Sequence, residues 1–196
     1  SRKLYMPHNQ MIVFGQALAK DGINDALDFY LRDHETRLTV NVFVAKDKGK
    51  DIFDVEPELA KIPAADISLR IQAQSSTSET ASLTIFELMN CLASKTHSAV
   101  APLVEVMEVD GKRKASISGG AVFKGDKVVG ELDKMQTRGL LWATDKIKSG
   151  IMELKIEDEQ VNIEIVKAVS KATPEIKSNG EIHYKIKVKQ SGIISS

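Results

Sequence analysis

At Leu103 the hydrophobic period of this chain changes from helical to alternating, and no other feature constrains its fold as strongly. Before that point apolar residues recur at helical spacing. Ile23, Ala26, Leu27 and Tyr30 share one face, and so do Ile85, Leu88, Met89 and Leu92. After it, the pattern reads as short strands closed by tight turns. Asp110-Gly111 separates residues 103–109 from 112–118, and Gly125-Asp126 separates 119–124 from 127–132. An Asp-Gly pair is a strong hairpin signal, because both central positions of a two-residue turn need positive φ. Residues 151–156 and 161–169 are expected to pair across Glu157-Asp158-Glu159-Gln160. Residues 181–189 alternate, with Ile182, Tyr184, Ile186 and Val188 expected inward and His183, Lys185, Lys187 and Lys189 outward.

The first half adds a short buried strand at 10–14 and a strand at 38–45, where Leu38, Val40, Val42 and Val44 fall on one side. A helix at 64–74 would turn Ile67 and Ile71 inward. Thr84 followed by Glu87 forms a capping box, in which each side chain satisfies an orphan backbone N–H of the helix start. Asp133 can cap a helix reaching about Lys146, with Leu140, Leu141 and Trp142 buried. The expected class is α+β. A mixed helix and strand domain over 1–112 precedes an antiparallel, hairpin-rich sheet domain over 113–196, which carries one or more packed helices.

Charge and composition narrow the function. The 196 residues carry 27 basic and 27 acidic side chains. Net charge is therefore zero, and the global basic excess typical of a nucleic-acid partner is missing. No run approaches the ~18 apolar residues of a spanning helix. Cys91 is the only cysteine, which excludes an intramolecular disulfide framework. On the flank of an apolar helical stripe it is expected to act as a small apolar residue. The first residues have no apolar segment of the kind a signal peptide needs.

The candidate catalytic patterns fail one by one. His8, His34, His97 and His183 lie too far apart in sequence for a local metal motif. The stretch from Gly120 to Lys127 echoes a phosphate-binding loop, but Asp126 stands where the phosphate-binding lysine must be. Ser116-Ile117-Ser118-Gly119-Gly120 lacks the first glycine of a nucleophile elbow. Glu157-Asp158-Glu159 reads as a solvated turn. No catalytic residue, no cofactor and no metal is expected. The most suggestive surface is the row Lys185, Lys187 and Lys189. It has two readings: a solvated strand edge guarded against aggregation, or a contact with an anionic membrane surface or a partner.

Two separated blocks resemble the Ger(x)C family of spore germination proteins. The later block runs Gly120-Ala121-Val122-Phe123-Lys124, Lys127-Val128-Val129-Gly130-Glu131-Leu132, then Thr137-Arg138-Gly139-Leu140-Leu141-Trp142. The earlier block comprises Leu4-Tyr5, His8, Ile12-Val13, Ala17-Leu18-Ala19, Leu27-Asp28-Phe29, Leu31-Arg32-Asp33 and Val42-Phe43-Val44-Ala45-Lys46. The resemblance implies the C subunit of a nutrient germinant receptor, assembled with integral-membrane A and B subunits. It implies an N-terminal lipid anchor on the outer face of the spore inner membrane, so this sequence would be a fragment lacking the lipobox segment and the C-terminal end. Cys91, inside a helix, does not match the lipobox cysteine. The family carries no catalytic residues, and small-molecule recognition is ascribed to its membrane partners. The expected role is therefore non-enzymatic. The alternative is a nutrient-binding module with a pocket between the two domains, and a degenerate hydrolase fares worst because no nucleophile, base and orienting group come together.

Overall fold

Met11-Ile12-Val13-Phe14 and Val42-Phe43-Val44-Ala45 are apolar at every position, as strands covered on both faces must be. In the computed structural model they form β1 (Met11–Phe14) and β2 (Asn41–Ala45), paired in parallel. The structure describes residues 9–32, 37–56, 63–76, 78, 80–94, 96–147, 149–156 and 159–195. Leu4-Tyr5, His8, Asp33, His34, Pro57 and Glu157-Asp158 lie outside the described residues. β2 pairs in parallel with β3 (Val100–Val109), and β4 (Lys112–Lys124) and β5 (Lys127–Asp133) follow antiparallel. The result is one five-stranded sheet in the order β1-β2-β3-β4-β5.

Both faces of this sheet are packed. On one, Ile12, Phe14, Val42 and Val44 meet Ala19 of α1 (Gln16–Asp21), Leu27 of α2 (Asn24–Arg32) and Leu88 of a later helix, α4. On the other, Met11, Phe43 and Ala45 meet Ile52 of a 3-10 helix (Gly49–Phe53) and Ile67 of α3 (Pro63–Ser76). This corrects the expectation of a one-sided strand over 38–45. The strand starts at Asn41, its residues feed two cores in alternation, and Leu38 is exposed. The helix α4 (Ile85–Ala93) opens on the expected capping box. Thr84 Oγ1 accepts from the Glu87 N–H at 3.2 Å, and Glu87 accepts from the Thr84 N–H at 2.8 Å.

The Asp110-Gly111 turn closes β3 onto β4 with φ of 53° and 71°, the left-handed pair that such a turn requires. The expected segments 112–118 and 119–124 are one continuous strand. The expected domain boundary at 112/113 falls at the start of that strand, so residues on both sides of it share one sheet. The two neighbouring glycines in β4 have a packing reason. A Cβ on Gly119 would lie 1.9 Å from the Leu132 carbonyl oxygen. On Gly120 it would lie 2.7 Å from Val100 Cγ1 on β3 and 3.3 Å from Thr137 Oγ1, so a side chain there would push on Val100.

α5 (Lys134–Ala143) is capped by Asp133, whose Oδ1 accepts from the Gln136 N–H at 2.7 Å. It leads into a second, antiparallel sheet in the order β6-β7-β8: β6 (Gly150–Ile156), β7 (Glu159–Ile176) and β8 (Ile182–Ser195). Leu141, Ile147 and Ile165 form a small core there, with Trp142, Met152 and Ala168 packed against it. Trp142, expected to be largely buried, is half-buried at the rim of that small cluster. Arg138 donates to the Ile151 carbonyl and the Ser170 N–H donates to the Asp145 carboxylate, which fasten α5 to this sheet.

The chain is α+β, as its pattern implies. Ile182, Tyr184, Ile186 and Val188, however, are not inward. They are 61%, 67%, 48% and 47% exposed. The cause is strand length. β6 pairs only with residues up to Ile165 of β7, and α5 covers only that root. From Lys167↔Ser191 to Ile176↔Ile182 the strands β7 and β8 continue as a two-stranded ribbon.

Candidate functional site

Two features stand out as places where a partner or ligand could be held. The first is a cavity of about 840 Å³ between α4, the sheet and α5. Leu83, Val100, Val122 and Leu132 line it from the sheet side, Cys91 from α4 and Leu141 from α5. Its size falls within the range of about 300–1,000 Å³ usual for small-molecule sites. Its exposed lining is mainly apolar, and four of its polar side chains, Glu87, Ser94, His97 and Thr144, are engaged within the chain. Glu87 is engaged with Thr84 at 2.8 and 2.9 Å. Ser94 Oγ lies 2.8 Å from His97 Nδ1, and Thr96 Oγ1 lies 3.2 Å from the same nitrogen. The half-buried Cys91 thiol has no hydrogen-bond partner among the described residues. Such a site can shelter an apolar body. Among the described residues no cluster of three or more His, Cys, Asp or Glu side chains is placed to hold a metal ion.

The second feature is the ribbon. Lys185, Lys187 and Lys189 lie at alternate positions of β8 and share one face, all three exposed. The register sets them opposite Thr173, Lys171 and Val169, with Lys167 opposite Ser191. Lys167 and Lys171 therefore join the row. Sequence reasoning missed Lys171 because it stopped that strand at Val169, and Lys167 because the register that sets it opposite Ser191 is not encoded in either strand alone. The opposite face carries Ile176, Ile182, Tyr184, Ile186 and Val188. At the tip, hydrogen bonds from Asn179 and then His183 hold the Glu181 carboxyl below the usual carboxylate range. Elsewhere, Lys46 Nζ and Glu105 Oε2 are 2.8 Å apart, and the hydrogen bond and charge of Glu105 raise the lysine pKa.

With this geometry in place, comparison with known proteins adds the following. Residues 1–106 match the family described as spore germination protein N-terminal domain. Residues 118–196 match the family described as spore germination B3/GerAC like, C-terminal. The chain is 26% identical over 200 residues to the putative spore germination protein YfkR of Bacillus subtilis, covering 99% of this chain and 51% of that protein. It is also 26% identical over 216 residues to spore germination protein KC of the same organism, covering 100% of this chain and 53% of the relative. The crystal structure of the GerBC protein superposes with a TM-score of 0.72 at 23% identity, covering 100% of this chain and 56% of that one. The chain thus spans about half the length of the curated relatives it matches.

Proposed function

The chain belongs to the GerAC-like family of spore germination proteins, and from that premise we propose that it serves as the C subunit of a nutrient germinant receptor. It acts without catalysis, by holding contacts with the membrane-embedded A and B subunits that receptor assembly and signalling require. A lipid anchor preceding this sequence in the whole protein would keep it on the outer face of the spore inner membrane. The observation that carries this reading is the match of both halves of the chain, in order, to the two halves of the family. Co-expression with A and B subunits, affinity capture and crosslink mapping test it. Recovery of a three-subunit complex is expected, and its absence under conditions where A and B still associate would remove the assembly role.

A second reading is favoured by the cavity itself. Its position between α4 and α5, and its apolar lining, suit a small nutrient with an apolar body. Thermal shift with individual amino acids and sugars tests this. A saturable rise that Val122→Trp abolishes by filling the cavity supports a binding module, and no rise with any of them leaves the assembly role alone.

A further inference from the structure

We infer that the lysine face of the β7–β8 ribbon docks against an anionic lipid bilayer. The register builds a compact basic field. Lys185, Lys187 and Lys189 stand about 6.8 Å apart along β8, and Lys171 and Lys167 flank them on β7. None of the five makes an ion pair among the described residues. The acids on the same face stand at its two ends: Glu175 and Glu181 at the tip, where they meet Lys177 and His183 at 3.4 Å each, and Glu164, opposite Ile193, at the root.

Lys171 and Lys187 face each other directly across the strands. Like charges so placed repel and cost stability. A lone solvated edge needs one or two lysines to block strand addition. Both strands of the ribbon are open edges beyond Ile165, and five lysines gathered on one face are more than that protection needs. An outside negative charge offsets the repulsion. Five ammonium groups gathered on one side of the ribbon complement a surface dense in anionic headgroups. A bilayer meets that condition without any ordered groove. The choice of a membrane as occupant rests on the receptor-subunit reading, which places the chain beside one. The apolar face is turned the opposite way, so docking through lysines leaves Ile182, Tyr184, Ile186 and Val188 pointing away from the lipid.

The test uses the 196-residue chain and co-sedimentation with vesicles of phosphatidylglycerol and phosphatidylcholine, against vesicles of phosphatidylcholine alone. Binding to the anionic vesicles is expected to weaken with added salt, since the attraction is screened over about 8–10 Å near physiological ionic strength. The triple variant K185Q/K187Q/K189Q should bind about a hundredfold more weakly, and K167Q/K171Q about tenfold or more. The triple Lys→Arg variant, which keeps the charge, should bind like the parent and controls for folding. Equal binding by the parent and the Gln variants overturns the inference. So does equal binding to neutral vesicles, which would assign the contact to the apolar face. So does capture by polyglutamate without binding to anionic vesicles, which would assign the lysines to an acidic protein partner. Because A and B subunits are absent from this assay, its failure leaves the receptor-assembly reading untouched.

Discussion

The two sheets of this chain use the same alternation of apolar residues to opposite ends. In the five-stranded sheet, β2 sends Val42 and Val44 into one core and Phe43 and Ala45 into another, and all four are 2% exposed or less. In the ribbon, β8 sends Ile186 and Val188 to one side and Lys185, Lys187 and Lys189 to the other, and every one of them faces solvent. The strands do not differ in their fitness to form a sheet, because both are rich in β-branched residues. They differ in what the chain folds over them. Helices precede and follow β2 closely enough to cover both of its faces, whereas α5 meets β7 only around Ile165 and Ala168. Burial is thus set by connectivity, and alternation alone cannot report it.

That contrast is sharpest under truncation of a large side chain. Phe43→Ala removes a ring from the inner strand and should cost about 3–5 kcal/mol in chemical denaturation. Tyr184→Ala, on the ribbon, should stay within about 0.5 kcal/mol. Comparable losses at both positions would mean that the apolar face of the ribbon is covered in solution. An intermediate effect is expected at the junction. Trp142 is half-buried against the small core, so Trp142→Ala should cost roughly 1–2.5 kcal/mol, less than full burial of such a side chain implies. Its loss should loosen β6–β8 while leaving the helix-covered sheet intact, seen as a separation of the two unfolding transitions.

Smaller effects probe the ribbon itself. Lys187→Thr relieves the repulsion with Lys171 and places a β-branched residue in a strand, so the thermal midpoint should rise, by roughly 0.2–1 kcal/mol of stability. A fall would show that the lysine row is stabilised by contacts within the chain. The smallest effect is at the tip. Glu181 has a depressed pKa in the folded chain. Its favourable contribution is therefore complete above the ordinary glutamate value of about 4.3 and is lost as pH falls through the lower, folded value. Titration of its carboxyl carbon by NMR should show the depression, and Asn179→Ala should move the midpoint back up.

Much of the fold was legible in local chemistry. The capping box at Thr84 and the cap at Asp133 could be read because a cap is a contact within four residues. Asp110-Gly111 and Gly125-Asp126 could be read because a tight turn demands specific residues at adjacent positions. What could not be read depends on distant partners. The role of Gly120 is set by Val100 and Thr137, which are distant in sequence. Lys171 was not grouped with Lys187, because their pairing is fixed by a register that no single strand encodes. Cys91 was read as a small apolar residue, but its place on the wall of a cavity needed α5 to fold against the sheet. Lys185, Lys187 and Lys189 were legible as one row, since a strand's period of two places alternate residues on one side.

The contrast between a covered sheet and an open ribbon is tested most directly by native-state amide hydrogen exchange, resolved by segment. Backbone hydrogen bonds held under packed cores open only with global unfolding, while those flanked by solvent open locally. The N–H groups of β2, β3 and the inner part of β4 should exchange together, at the rate set by global stability. Those of β8 and of β7 beyond Lys167 should exchange far faster, with the root at Ile165 between the two. Uniform protection across both sheets would contradict this, because it would require a cover over the ribbon that the fold of this chain does not supply.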